Sequence, residues 1–139
     1  MMHENSKLRA GFAVAMAAAL SLLPVAALAQ ASAPGFSTGY RFSEMSGEAL
    51  FANVCQACHM SDAKGATGAG TYPSLAADRN LEASGYPIGV VVNGQRGMPP
   101  VGMMMSDEQV AAVVNYLRTH FGNSYQDAVT SADVKTARR

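Results

Sequence analysis

Charge is scarce in this chain and favours neither sign. Only 14% of the 139 residues are charged, and ten Lys/Arg meet ten Asp/Glu. A nucleic-acid-binding surface needs a basic excess, so that class of partner is excluded. Cysteine is scarcer still. The two present both fall inside one five-residue stretch, too close together to staple a fold, which excludes a disulfide scaffold. Three histidines occur, and one of them is His3, so the four ligands of a structural zinc site are hard to assemble. No alternating strand pattern and no internal repeat is present. The composition is nonetheless 49% hydrophobic, which excludes a disordered polymer and suits one domain.

Residues 1–29 read as a secretory signal. Lys7 and Arg9 form the basic start, Ala10 to Leu23 the apolar stretch, and Ala27-Leu28-Ala29 a small-residue cleavage site before Gln30. An uncleaved anchor is the competing reading, since Ala10 to Ala29 approaches the roughly 20 apolar residues that span a bilayer. Its high alanine content and Pro24 argue for cleavage. The remaining chain, about 110 residues, carries eight basic and nine acidic side chains and can build one modest core. It is placed in the periplasm.

Residues 30–43 hold Pro34, Gly35 and Gly39 and read as a flexible lead-in. From 44 onward the pattern is helical. Ser46 suits an N-cap for a first helix running to about Cys58, with Phe51, Val54, Cys55 and Cys58 on one α-helical face. Lys64 to Gly70 contains three glycines and reads as a loop, followed by Pro73, Leu75 and Asp78. A short helix over 87–92 ends near Gly94 and Gly97. The clearest element is a long helix capped by Ser106 and Gln109, with acidic Asp107 and Glu108 at its start. Val110, Val113, Val114 and Leu117 form its stripe, and Gly122 suits its end. The chain from about 123 reads as a polar tail with a short helix from Ser131. The fold class is all-α.

Cys55-Gln56-Ala57-Cys58-His59 is the C-x-x-C-H pattern of haem c attachment. Two thiols three residues apart lie near one another on a helix and can add to the two vinyl groups of one porphyrin. The next residue, His59, then offers an imidazole nitrogen to iron. A thioredoxin-like redox pair would need a βαβ pattern that is absent.

A second axial ligand is less determined. Met98 lies in the loop from Asn93 to Pro100, among Gly94, Gly97, Pro99 and Pro100, which hold a backbone close and stiff. A thioether there would favour reduced iron. Met103, Met104 and Met105 compete, although Met105 precedes the Ser106 cap where a hydrophobic staple belongs. His120 is a rival for a bis-histidine site, with an ordinary role near a helix C-terminus as its alternative. Arg79 or Arg96 suits a haem propionate, although a solvated surface position is the simpler reading of both. Pro99, Pro100, Val101 and Met103–Met105 form an apolar stretch that reads equally as a docking surface or as packing.

Taken together, residues 44–139 resemble a class I c-type cytochrome. The resemblance is carried by Gly47, Phe51, Cys55, Cys58 and His59 on the first helix, by Pro73-Ser74-Leu75, and by Gly97-Met98-Pro99 ahead of the Ser106 helix. It implies three to five helices wrapped around one covalently bound haem, with the first and last long helices crossing at Gly47, Phe51, Val113 and Tyr116. It also implies that the Pro73 carbonyl accepts the second ring N–H of His59, and that Met98 is the sixth ligand. Tyr72-Pro73-Ser74-Leu75-Ala76, Asn93-Gly94, Val114-Asn115-Tyr116-Leu117-Arg118, Gly122-Asn123 and Ala132-Asp133-Val134 look like the cytochrome subunits of bacterial periplasmic dehydrogenases, which carry several such domains.

The resemblance implies an electron carrier rather than an enzyme. It would accept electrons from a periplasmic dehydrogenase and pass them to the respiratory chain, to a terminal oxidase or another redox protein. It would take no small-molecule substrate, and would meet a membrane only through a partner or an uncleaved signal. The competing class is a haem enzyme or ligand sensor with a labile sixth position.

Overall fold

The computed structural model describes residues 41–138. Residues 1–29, read above as a secretory signal, and most of the lead-in lie outside the described residues. Among the described residues no helix is long and apolar enough to cross a membrane.

The longest helix among the described residues, α4 (Asp107–Thr119), forms as its sequence dictates. The Ser106 hydroxyl accepts from the Gln109 amide at 3.2 Å, and the Ser106 amide donates to Gln109 Oε1 at 2.8 Å. The reciprocal pair satisfies two otherwise orphaned donors. Val110, Val113, Val114 and Leu117 are all buried, each contributing roughly 1.5–3 kcal/mol of apolar transfer.

The first helix is less regular than its sequence suggests. It comprises α1 (Gly47–Leu50), a π-helical turn (Phe51–Cys55) and α2 (Gln56–His59). Ser46 caps it, accepting from the Ala49 amide at 3.2 Å. The π turn takes up one extra residue, which rotates the downstream segment by about 100° relative to an unbroken α-helix. Val54 and Cys55 nonetheless pack against the same core as Phe51. Phe51 is buried in the core, whereas Val54, Cys55 and Cys58 are half-buried.

Helix α1 packs across α4. The approach is close enough that a Cβ on Gly47 would collide with the Ala112 carbonyl oxygen and stand 2.6 Å from Tyr116 Cβ. Glycine is required there for lack of space. Helix α3 (Gly85–Asn93) is slightly longer than expected and turns its Ile88, Val91 and Val92 inward. It ends at Gly94 (φ 72), while in the following turn Arg96 rather than Gly97 takes the left-handed conformation (φ 53).

Two corrections follow. The fold is mostly helical but not wholly so: β1 (Ala66–Thr67) and β2 (Thr71–Tyr72) pair antiparallel, Ala66 opposite Tyr72 and Thr67 opposite Thr71. Two-residue strands around a Gly68-Ala69-Gly70 turn are too short to leave an alternating pattern. The chain from 123, expected as a polar tail, is anchored to the domain. Val129 and Val134 are buried, and α5 (Ser131–Ala137) packs on α3 and α4. A Thr130–Asp133 capping box starts α5, with the Thr130 amide donating to Asp133 at 2.8 Å. The helix itself was anticipated from Ser131. Its anchoring was not, because two valines in a polar stretch do not make a stripe.

The junction of the lead-in with the domain is tied down as well. Gln109 Nε2 donates to the carbonyls of Phe42 (2.9 Å) and Glu44 (2.7 Å).

Candidate functional site

The helix that begins at Ser46 ends at His59, and the next residue explains the stop. Met60 adopts φ 65 and ψ 162, a region that residues with a Cβ avoid. The chain reverses there, and His59 is left buried at the helix end. Its Nδ1 donates to the Pro73 carbonyl oxygen at 2.9 Å. That bond engages one ring nitrogen and leaves Nε2 as the nitrogen available to a metal. The relation between His59 and Pro73, expected from the resemblance, is present across 14 residues of sequence.

Cys55 and Cys58 are free thiols, both half-buried. Burial, with the neighbouring Cys58 as a lesser cause, pushes the Cys55 thiol up to about 12. A redox-active C-x-x-C pair needs the opposite, a thiol lowered towards neutrality so that thiolate is available. A sulfur in an apolar setting suits a neutral thioether. This donor set fits haem c: two sheltered sulfurs, then a buried imidazole with one nitrogen already fixed.

Met98 is half-buried and packs against the core. Its turn is tightly closed: the Gln95 amide donates to the Met98 carbonyl at 3.0 Å, and the Met98 amide to the Gln95 carbonyl at 2.9 Å. Tyr86 Oη holds the Gln95 side chain at 3.0 Å. Residues 93–100 wall an open depression of about 330 Å³. The competing methionines sit differently. Met103 and Met104 are exposed, and Met105 is buried in the core. His120 is exposed, stacks on Tyr116 with centroids 4.0 Å apart, and caps α4 by an Nδ1 bond to the Tyr116 carbonyl at 2.9 Å. Arg79 and Arg96 are exposed.

Sequence reasoning missed two residues that brace the site. Arg118 is fully buried. Its Nε donates to the Leu81 carbonyl (2.8 Å) and its Nη2 to the Glu82 carbonyl (2.9 Å) and the Asp127 carboxylate (2.6 Å), while Nη1 donates to the Asp127 carbonyl. Asn123, also buried, donates to the Leu75 and Leu117 carbonyls at 2.9 and 2.8 Å and accepts from the Asp78 amide at 2.9 Å. It holds the 73–78 loop, and with it Pro73, against the end of α4. Arg118 falls one position past the Leu117 stripe, where a cation reads as a helix C-terminal charge. No local pattern reveals that it points inward.

Comparison with known proteins agrees with this architecture. The family model described as cytochrome C oxidase, cbb3-type, subunit III matches residues 43–117. The fructose dehydrogenase cytochrome subunit of Gluconobacter japonicus is 34% identical over 102 residues, covering 63% of this chain and 20% of that protein. The gluconate 2-dehydrogenase cytochrome c subunit of Pantoea cypripedii is 30% identical over 105 residues, covering 67% of this chain and 24% of that protein. The chain thus spans about a fifth to a quarter of the length of the curated relatives it matches. A cytochrome c domain implies haem c with its iron, and electron transfer as its chemistry. With more than half its length matched from Ser43 to Leu117, across the first helix, the Pro73 and Met98 loops and the apolar stripe of α4, the chain belongs to the c-type cytochrome family typified by subunit III of cbb3-type oxidases.

Proposed function

We propose that this chain carries electrons in the periplasm through a single haem c, accepting them from a dehydrogenase and passing them towards the respiratory chain. Cys55 and Cys58 would hold the porphyrin as thioethers, and His59 Nε2 and the Met98 sulfur would bind its iron. When bound, the haem supplies a one-electron ferric/ferrous couple.

The protein's own contribution is placement. Covalent attachment at the two sulfurs would fix the ring on the helix that packs across α4. The Pro73 carbonyl fixes the His59 tautomer and raises its basicity. The closed Gln95–Met98 turn limits how far the thioether can move, which suits a centre that changes charge with little rearrangement. The observation that carries the reading is the 2.9 Å bond from buried His59 to Pro73, because it orients an imidazole directly beside two sheltered thiols.

A dehydrogenase partner is favoured by the relatives, both of which are cytochrome subunits of dehydrogenases. Pyridine haemochrome assay of exported protein should give one haem per chain, and the haem should stay with the polypeptide on a denaturing gel. Complete extraction of haem into acidified organic solvent would refute the reading. Mass spectrometry of the periplasmic fraction should show a chain beginning at Gln30; a membrane-bound chain retaining residues 1–29 would replace the free carrier with an anchored one.

A further inference from the structure

We propose that Gly65 is a positioning residue for the axial histidine: it and the β1–β2 ribbon set where the Pro73 carbonyl stands against His59 Nδ1, and so tune the iron's potential. This inference rests on His59 being the iron ligand.

Pro73 has no amide hydrogen with which to anchor itself, so its carbonyl is located by its neighbours. Gly65 is the neighbour behind it. Its amide donates to the His59 carbonyl at 3.0 Å, and its backbone adopts φ +68. A Cβ at this position would collide with the Tyr72 carbonyl oxygen and stand 2.7 Å from both the carbon and the oxygen of the Pro73 carbonyl. The bare Cα of Gly65 therefore packs against the very group that accepts from the imidazole.

The ribbon explains how these two segments meet. From Gly65 the chain runs out along β1 and returns along β2, with Ala66 paired to Tyr72, and delivers Pro73 one residue later. Beyond Pro73, the Leu75 and Ala76 amides both donate to the Ala63 carbonyl, at 2.7 and 3.1 Å. Pro73 is held between the ribbon and Ala63. Residues 67–74 are exposed, so this excursion adds little to the core. What it does is place one carbonyl.

The consequence for the iron follows from ligand basicity. A carbonyl close to Nδ1–H makes the imidazole a stronger donor, which favours ferric iron. A Cβ at 65 displaces Pro73, weakens the bond and raises the potential.

The test uses the holoprotein as wild type, Gly65→Ala, Gly65→Asn and Gly68→Ala. Two quantities are read: the midpoint potential, and the hydrogen-exchange rate of the His59 ring proton by NMR in the reduced state. Both position-65 variants should shift the potential upward and exchange that proton about tenfold faster, a loss on the scale of one weakened hydrogen bond. Gly68→Ala lies in the same ribbon, where a Cβ meets nothing within 4 Å, and should match wild type. Asparagine tolerates a positive φ better than alanine. A shift in Gly65→Ala that Gly65→Asn lacks would therefore assign the effect to backbone strain and overturn the proposal. If Gly65→Ala does not mature, Gly65→Asn carries the test. A wild-type ring proton that exchanges at the rate of free solvent overturns the proposal without any variant. If the position-65 variants keep covalent, low-spin haem and equal Gly68→Ala in both readouts, the positioning role fails and the electron-carrier reading stands. Absence of covalent haem from wild type would instead remove that reading.

Discussion

Phe51 and Tyr116 meet ring to ring where the first helix crosses α4, with centroids 5.9 Å apart and planes inclined at 43°. Phe121 completes the cluster, 4.7 Å from Phe51 and edge-on to Tyr116 at 5.6 Å. Phe51 is 3% exposed and stands at the start of the π turn that leads into Cys55. Phe51→Ala should cost about 3–5 kcal/mol, the usual range for emptying a buried aromatic site. Denaturant unfolding of the holoprotein measures it. Phe51→Leu keeps most of the volume and should cost less than half as much; equal losses in the two variants would mean that the aromatic cluster does not anchor the crossing.

The contrast between what the sequence revealed and what it hid follows the range of each interaction. Ser46, Ser106 and Gln109 act within one helical turn, and the Val110–Leu117 stripe repeats with the helix, so all were legible. Cys55, Cys58 and His59 fall within five consecutive residues, so the C-x-x-C-H pattern was legible for the same reason. The Phe51–Tyr116 contact and the His59–Pro73 bond are long-range, and only resemblance to known cytochromes anticipated them. The π turn left no mark, because an extra residue in a helix has no compositional signature. Arg118 and Asn123 were missed because burial of a polar side chain depends on carbonyls that arrive from elsewhere: Leu81, Glu82 and Asp127 for one, Leu75 and Leu117 for the other.

Met98→Ala tests the proposed sixth ligand. If the Met98 sulfur binds iron, the substitution should abolish the weak far-red sulfur-to-iron absorption of the oxidised protein. It should also lower the potential, since a thioether favours the reduced state, and let carbon monoxide bind ferrous iron. Substitution of exposed Met103 or Met104, or of core-packed Met105, should leave that band in place. Retention of the band in Met98→Ala and its loss in another methionine variant would move the ligand. Carbon monoxide binding by the wild type would favour the sensor or enzyme class instead.

Met60 is held at φ 65 and ψ 162 directly after His59. Backbone in that region costs a residue with a Cβ on the order of 1–3 kcal/mol, against about 1 kcal/mol for the greater unfolded-state freedom of glycine. Met60→Gly should therefore stabilise the holoprotein by about 1 kcal/mol. Its visible spectrum should not change, since the side chain replaced is neither of the proposed axial ligands. Thermal melts followed by haem absorbance check both parts; a lower midpoint would show that Met60 packing outweighs the strain.

Arg118 and Asp127 join the α4 helix, the turn at Leu81 and Glu82, and the approach to α5. Arg118 is fully buried, while the Asp127 side chain is 71% exposed. Replacing Arg118 with Ala leaves the Leu81, Glu82 and Asp127 carbonyls without their donor and should cost about 3 kcal/mol or more. The Asp127 partner behaves differently because water reaches it. The hydrogen bond from Arg118 is the main cause that holds its carboxyl below the usual aspartate range. A carboxyl lowered on folding contributes stability above its unfolded value, about 3.9, and loses that contribution as pH falls through the folded value. Asp127→Asn should thus be less stable than wild type at neutral pH, and the gap should close on acidification below about 4. Unfolding midpoints of the two proteins across pH 2–7 read the difference directly. Absence of a gap at every pH would assign the anchoring to the Asp127 main-chain carbonyl, which the variant retains, rather than to its carboxylate.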